Sequence, residues 1–264
     1  MSDPAELASH EWSPSGTDGT EERGTAVLVH GVASWHRTWW CVGPALAERG
    51  WRVVAVDQRG HGRSPRLAGS VTVADWAADL AAFVEGQGPP VMLVGHSLGG
   101  AVAAELIAAR PELVRRAVLE DPPAISRRGD VSWLDRLEGE LVAAHTDLEA
   151  EVSRELLENA AWHPEDARQD VEGKQLADRE GIVASFRADV GTRVLDLVPR
   201  LSAPVLYLLA AEDRSVFPQP AREVLASALP NGSRIELLDA GHTIHRDRFE
   251  DYVAIVAAWL EGTT

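Results

Sequence analysis

The sequence predicts an α/β fold, a doubly wound, mostly parallel sheet of about 7–8 strands with a helical cap insertion. Short, almost wholly apolar segments alternate with amphipathic helical segments through the first 120 residues. Such strands are typical of parallel sheets, which helices cover on both faces. Between about 125 and 200 the strand-like segments stop, and charged helical segments replace them. The alternation predicts the sheet, and the interruption predicts the cap.

The strands are predicted from apolar runs that end in polar or turn-forming residues. A polar start over 1–24 is expected to be mobile, with one edge strand near residues 7–12. The buried strands are then predicted, in order, at 25–29, 52–56, 91–94, 114–119, 204–209 and 234–238.

The helices are predicted from apolar residues that recur every three or four positions. Five belong to the core, at 38–48, 73–85, 101–110, 220–229 and 246–261, and Thr72 or Ser70 is the expected N-cap of the second. Four more, at 131–144, 147–161, 164–180 and 181–190, fill the segment without strands. We therefore divide the chain into a core (1–124 and 201–264) and a cap (125–200). The cap is expected over the carboxyl ends of the strands, where such sheets bind ligands, and a plain surface elaboration is the alternative.

The composition narrows the classes of partner. A net charge of -16 argues against nucleic acid and anionic membrane surfaces. Cys41 is the only cysteine, which excludes an internal disulfide and suits a reducing cytoplasm. No signal-peptide pattern, membrane span or metal-ligand spacing of cysteine and histidine is found. We expect a cytoplasmic monomer or homodimer that binds no metal.

Residues 95–99, Gly-His-Ser-Leu-Gly, fit the pattern G-x-S-x-G between a predicted strand and a predicted helix. A sharp strand-to-helix turn lifts the serine hydroxyl above the sheet, beside helix N–H groups that attract negative charge. Gly95 and Gly99 leave room for such a turn. An ordinary turn is the alternative interpretation of a serine between glycines. The flanking strand and helix favour Ser97 as a nucleophile.

A serine hydroxyl needs a base, and histidine has a suitable pKa. His242 is the predicted base because it follows Gly241 directly after the last strand. Four other histidines near strand ends are its rivals: His30, His61, His96 and His245. We expect His245 to have a structural role.

A carboxylate behind the histidine fixes its tautomer and stabilises the imidazolium. Asp213 is the predicted acid, since the chain order is then serine, acid, histidine and each residue follows an apolar strand. Asp121 is the main rival because it also follows a strand, and Glu212 is a weaker one.

The oxyanion of a tetrahedral intermediate needs two backbone donors. The N–H of Leu98, directly after the serine, is the first. The second is expected from the loop after the first buried strand, where Gly31 allows a close approach, and we assign it to the N–H of Val32, with Ala33 as the alternative.

Aromatic residues near the predicted cleft favour a hydrophobic substrate. The candidates for its wall are Trp35, Trp133, Trp162, Phe186 and Phe217, and ordinary packing is the alternative for each. Residues 128–200 carry 17 acidic and 9 basic side chains, which mildly disfavours an anionic substrate.

The combination of motifs resembles the α/β-hydrolase fold superfamily over nearly the whole chain. The matching segments are His30-Gly31, the run Asp-Gln-Arg-Gly-His-Gly-Arg-Ser at 57–64, the serine motif at 95–100, the loop to Asp213, and Ala-Gly-His at 240–242. Within the superfamily the chain is most similar to small, cap-bearing esterases and lactonases, a group that also holds cofactor-free haloperoxidase-like perhydrolases.

The resemblance implies a Ser-His-Asp hydrolase of small-molecule esters or lactones that uses neither a metal nor an organic cofactor. A perhydrolase or acyltransferase with the same triad, and a ligand-binding member without hydrolytic activity, are the alternatives. The chain departs from the family pattern at two loops. Ala210 and Ala211 stand where many relatives carry glycine, and no proline follows the loop at 30–33.

Overall fold

The structure is a computed structural model, and it describes residues 4–14, 22–124, 132–188 and 194–263. Outside the described residues lie 1–3 and 15–21 of the start predicted to be mobile, the predicted first residues of the cap at 125–131, and the last two residues of the helix predicted at 181–190.

Seven strands form one sheet. They are β1 (Ser9–Trp12), β2 (Thr25–Val29), β3 (Arg52–Val56), β4 (Val91–His96), β5 (Val114–Glu120), β6 (Val205–Leu209) and β7 (Arg234–Leu237). Their order across the sheet is β1-β3-β2-β4-β5-β6-β7. Only the β1–β3 pair is antiparallel in the described sheet. The predicted, mostly parallel α/β sheet is thus confirmed, and each strand begins and ends close to its predicted residues.

Eleven α-helices lie in the described part of the chain. They are α1 (Val42–Ala47), α2 (Val73–Glu85), α3 (Leu98–Ala109), α4 (Ser132–Thr146), α5 (Leu148–Glu158), α6 (Pro164–Leu176), α7 (Arg179–Arg187), α8 (Val194–Leu197), α9 (Gln219–Ala228), α10 (Ile244–Asp247) and α11 (Phe249–Glu261). Helices α4 to α8 lie between β5 and β6 in the chain, where the cap is predicted. None of these eleven is long and apolar enough to cross a membrane.

Two predicted helices of the core are divided in the structure. The helix predicted from residue 38 is a 3-10 turn at His36–Trp39 followed by α1. Pro44 explains the break, because proline has no N–H and fits an α-helix only in its first turn. The helix predicted from residue 246 is divided into α10 and α11.

Helix α2 begins as predicted, and Thr72 rather than Ser70 is its cap. The Thr72 hydroxyl accepts a hydrogen bond from the backbone N–H of Asp75 at 3.2 Å, and the Asp75 carboxylate accepts one from the Thr72 N–H at 2.8 Å. This reciprocal pair satisfies two N–H groups that the helix leaves unpaired. On the helix face that meets the sheet, Trp76 and Leu80 are buried.

The apolar core has two parts, one on each face of the sheet. One part packs α2, α3 and α9 against the sheet, and the other packs α1 and α11 against the opposite face. With both faces covered, nearly every residue of β2 to β6 is buried. Polar side chains that follow these strands are therefore brought together at the carboxyl edge of the sheet.

The register of β4 and β5 sets which of those side chains meet. His96 at the end of β4 pairs with Glu120 at the end of β5. The Ser97 N–H donates to the Glu120 carbonyl at 2.9 Å. Ser97 and Asp121, the residues that follow this pair, thus leave the sheet side by side.

Candidate active site

The backbone at Ser97 makes the sharp turn that the motif predicts. Ser97 has φ 51° and ψ -118° between β4 and α3. A Cβ at Gly95 would lie 2.4 Å from the Gly99 carbonyl oxygen, and one at Gly99 would lie 2.3 Å from the Val29 carbonyl oxygen. Real Cβ atoms do not approach oxygen so closely, so both positions require glycine. The two glycines let α3 pack against β2 and β4 directly after the serine.

Backbone strain is concentrated around this turn. Among the described residues other than glycine, positive φ angles occur at Ala33 (56°), Ser97 (51°) and Asp121 (39°). Such conformations cost about 1–3 kcal/mol each, and they cluster at active sites. The three residues belong to the predicted oxyanion loop, the predicted nucleophile and the loop after β5.

His242 joins the serine to a carboxylate. Its Nε2 lies 2.9 Å from the Ser97 Oγ, and its Nδ1 lies 2.7 Å from Oδ2 of Asp121. An ionised carboxylate only accepts hydrogen bonds, so Nδ1 carries the proton and Nε2 is left to accept the serine proton. The structure thus brings Ser97 and His242 together as the sequence predicts.

The carboxylate that contacts His242 is that of Asp121, which corrects the prediction of Asp213. The Asp213 side chain is 83% exposed and lies 3.7 Å from Arg214, and Glu212 is exposed as well. Asp121 is completely buried. The physical reason is the sheet order: Asp121 follows β5, which pairs directly with β4, whereas Asp213 follows β6, one strand farther from Ser97.

The loop after β6 supports the acid instead of supplying it. Asp121 accepts hydrogen bonds from the backbone N–H groups of Val216 at 3.0 Å and Ala210 at 3.2 Å, and from the Ser215 hydroxyl. Burial alone would raise the pKa of Asp121, but the hydrogen bond and charge of His242, with those from Ser215 and Val216, hold it below the ordinary value. Ser215 was not predicted from the sequence, where only its place after a strand marks it.

The predicted oxyanion loop lies directly against the serine. A Cβ at Gly31 would be 2.9 Å from Nδ1 of His96 and 3.3 Å from Cβ of Ser97. Val32 is therefore one residue from the point of closest approach. Leu98 is the first residue of α3, and the N–H groups of a first turn have no partner within their helix. The assignment of the Val32 and Leu98 N–H groups as oxyanion donors remains a prediction.

His30 and His61 are two rivals of His242; His30 contacts this loop, and the His61 ring lies 5.1 Å from that of His30. His30 Nδ1 donates to the Gly31 carbonyl at 2.7 Å, and its Nε2 accepts from the Gln58 N–H at 3.0 Å. Burial lowers the pKa of His30 to about 4 and that of His61 to about 3. Both histidines are therefore neutral and enclosed.

The other two rivals are also buried behind the site. His96 donates from Nε2 to the His242 carbonyl at 3.1 Å, and burial lowers its pKa well below the ordinary value. His245 bonds to both carboxylate oxygens of Glu120 at 2.9 Å and to the Thr38 hydroxyl at 3.1 Å. This agrees with a structural role for His245.

Two of the predicted wall residues lie beside the oxyanion loop. Trp133 of α4 and Phe186 of α7 meet edge to face with ring centroids 5.1 Å apart, and both pack in an apolar cluster with Val32 and Ala33. Both side chains are half-buried.

Trp35, a third predicted wall residue, is almost wholly buried. Its indole N–H donates to the Gln169 carbonyl of α6 at 3.1 Å.

The remaining two wall residues are placed differently from the prediction. Phe217 is completely buried in the main core, so it presents no surface to a ligand, and its inclusion was wrong. Trp162 uses its indole N–H to bind the Asp247 carboxylate at 2.8 Å, and the Arg246 guanidinium lies 4.5 Å from its ring centroid. Its contacts are with residues after His242 rather than with the serine.

Comparisons with known proteins agree with this architecture. A family model described as "Serine aminopeptidase, S33" matches residues 20–249. Lipase LipV of Mycobacterium tuberculosis is 45% identical over 97 residues, which are 36% of each chain. A protein of the same species, provisionally named non-heme bromoperoxidase BpoC, is 31% identical over 215 residues, 75% of this chain and 79% of its own.

Solved structures show the same fold. The enol-lactonase from Burkholderia xenovorans LB400 has a TM-score of 0.76 with 21% identity, and the match covers 97% of both chains. At that identity the likeness shows the fold alone. Because the family model spans most of the sequence, the chain belongs to this hydrolase family of the α/β-hydrolase superfamily.

Proposed function

We propose that this protein is a serine hydrolase that cleaves a carboxylic ester or lactone through an acyl-enzyme on Ser97. The observation that carries the proposal is the continuous chain of hydrogen bonds from the Ser97 hydroxyl through His242 to the buried Asp121, at 2.9 and 2.7 Å. The three hydrogen-bonded residues have the chemistry that their positions require: Ser97 is a weak nucleophile, His242 a base and Asp121 an orienting acid.

In the first half of the reaction, Ser97 Oγ attacks the carbonyl carbon of the substrate while its proton passes to Nε2 of His242. Asp121 stays ionised and stabilises the imidazolium. The carbonyl oxygen becomes an oxyanion and accepts hydrogen bonds from the N–H groups of Val32 and Leu98. The tetrahedral intermediate collapses, the carbon–oxygen bond of the alcohol breaks, and His242 returns the proton to the departing oxygen.

In the second half, water takes the place of the alcohol. His242 accepts a proton from the water as its oxygen attacks the acyl carbon, and the same two donors hold the second oxyanion. Collapse breaks the bond to Ser97 Oγ and returns the proton to the serine. For a lactone, the alcohol that leaves in the first half remains joined to the acyl group, so the product is one hydroxy acid.

A hydrophobic substrate fits the residues beside the oxyanion loop. The apolar cluster that contacts Val32 is built from α4, α7 and neighbouring loops, with these members: Ala33, Leu67, Trp133, Leu134, Leu137, Leu141, Ala177, Ile182, Val183 and Phe186. Burying apolar surface of the substrate there gives about 25 cal/mol per Å². We propose that the acyl or alcohol group nearest this cluster is apolar.

Labelling with a fluorophosphonate probe and peptide mapping test the proposal. The probe should modify Ser97 in the wild type, and Ser97→Ala should lose both the label and the turnover of p-nitrophenyl acetate. Ser153→Ala is the matched control, because Ser153 is an exposed serine on α5. Absence of label on Ser97, under conditions that label a control esterase, would overturn the proposal. The same result would favour a binding protein without hydrolytic activity.

Acyl transfer to hydrogen peroxide or to an alcohol is the second candidate, and the similarity to BpoC favours it. Both reactions share the acyl-enzyme and differ only in the acceptor. Product analysis with ester substrate and added peroxide separates them: peracid in excess of free acid supports the perhydrolase, and unchanged hydrolysis supports the hydrolase.

A further inference from the structure

Asp247 of α10 connects the loop that carries His242 to the predicted cap. Its Oδ2 accepts a hydrogen bond from the backbone N–H of Gly241, and its Oδ1 accepts one from the indole N–H of Trp162 at 2.8 Å. A Cβ at Gly241 would lie 2.7 Å from Oδ2, so another residue there would displace the carboxylate. One carboxylate thus holds both the residue before the catalytic histidine and a side chain between α5 and α6.

A neighbouring residue reinforces the same connection. The Arg246 guanidinium donates to Asp170 of α6 at 2.7 Å and to the Thr38 hydroxyl at 2.8 Å, and it lies against the Trp162 ring. Lys174 of α6 lies 2.8 Å from Asp170. Arg246 is almost wholly buried, so its charge depends on these partners. The position of α6 is therefore tied to the segment that follows His242.

The backbone around His242 is held at two points. The Gly241 N–H binds Asp247, and the His242 carbonyl accepts from His96 Nε2 at 3.1 Å. Without the hydrogen bond from the Gly241 N–H to Asp247, residue 241 would be free to move, and the His242 imidazole would turn relative to Ser97. Displacement of catalytic groups by about 1 Å lowers rates by roughly 100-fold.

The geometry points to Asp247 as a positioning residue. Through its two hydrogen bonds, the position of α6 and Trp162 affects the orientation of the His242 imidazole. This inference rests on the proposed function, since it assigns Asp247 to the support of the same base. It also explains why Trp162, predicted as a wall of the cleft, contacts the histidine loop instead.

Three variants test the coupling. Asp247→Asn keeps the size of the side chain, but its NH2 group cannot accept one of the two hydrogen bonds. Trp162→Phe keeps an aromatic ring beside Arg246 but removes the indole N–H together with part of the ring surface. Trp40→Phe is the matched control, since it makes the same change of ring and the Trp40 indole N–H donates to Asp166 of α6 at 2.8 Å instead of to Asp247.

We expect Asp247→Asn to lower the kcat for p-nitrophenyl butyrate by about 10- to 100-fold. Trp162→Phe removes one hydrogen bond and should lower kcat by about 3- to 10-fold. KM and the thermal midpoint should change little, and Trp40→Phe should keep kcat within about twofold of the wild type. The double variant Asp247→Asn/Trp162→Phe should lose no more than Asp247→Asn alone, because both remove the same link.

Two outcomes would overturn the inference: kcat unchanged in both Asp247→Asn and Trp162→Phe, or an equal loss in Trp40→Phe. A purely structural role would lower the thermal midpoint of Asp247→Asn and leave kcat per folded molecule unchanged. The ring N–H resonance of His242 gives a readout independent of turnover, and it should move in Asp247→Asn but not in Trp40→Phe. Failure of the wild type to label with fluorophosphonate would instead contradict the proposed function.

Discussion

Nδ1 of His242 lies 2.7 Å from the carboxylate of Asp121, a residue that follows the strand next to the serine. The strand before Asp121 is thus one position closer to β4 in the sheet than the strand before Asp213, although both residues fit the order serine, acid, histidine along the sequence. The loop that carries Asp213 still contributes to the site, because Ala210, Ser215 and Val216 donate hydrogen bonds to the Asp121 carboxylate.

Asp121→Asn should lower kcat by roughly 10⁴-fold, because the amide cannot hold His242 in the tautomer with its proton on Nδ1. Asp213→Asn is the matched control and should keep kcat within about twofold, since a change at an exposed side chain has little effect. Steady-state hydrolysis of p-nitrophenyl acetate measures both. A large loss in Asp213→Asn with activity retained in Asp121→Asn would reverse the assignment.

Val32→Pro should lower kcat by about 100- to 1,000-fold, because proline removes one of the two N–H groups assigned to the oxyanion. Val32→Ala retains the N–H and should have a mild effect. Circular dichroism checks that both variants fold. Equal activity of the folded proline and alanine variants would point to Ala33 as the donor.

Phe186→Ala should change substrate binding, whereas Phe217→Ala should change stability. Phe186 is half-buried beside Val32, so its loss should raise KM for p-nitrophenyl hexanoate by about tenfold or more relative to the acetate ester. Phe217 is completely buried, and its loss should lower the free energy of unfolding by about 3–5 kcal/mol without changing KM. Urea unfolding and ester kinetics on the same preparations compare the two effects, and a KM change confined to Phe217→Ala would contradict this placement.

The free energy of unfolding should fall as the pH decreases from about 6.5 to 4. Burial lowers the pKa of His30 from 6.5 to about 4 in the folded protein. The unfolded chain therefore takes up the proton first, and the stabilisation present above pH 6.5 is lost on the way down. The loss from His30 alone is roughly 3 kcal/mol.

Protonation of His30 would also place a hydrogen on Nε2, which faces the N–H of Gln58. Urea unfolding at several pH values measures the loss, and the His30 ring proton shift by NMR should stay that of a neutral imidazole at pH 5. Titration of this resonance near pH 6.5 would contradict the prediction.

The local features of this protein follow from short-range patterns. Apolar runs predict β2 to β6 to within two residues, because a strand covered on both faces is buried at nearly every position. The serine turn follows from Gly95 and Gly99, since no other residue fits against the carbonyl oxygens there. His242 is predicted in the same way, from its place directly after the last strand.

The choice between Asp121 and Asp213 could not be made in this way, because both follow apolar strands. It depends on the order of the strands across the sheet and on the register of β4 with β5. Trp162 and Phe217 illustrate the same limit, because an aromatic residue has the same local pattern in a cleft, in a core or against an arginine. Strand order and side-chain contacts arise from packing between distant segments, so the sequence determined the elements and the chemistry, and the tertiary structure decided which groups meet.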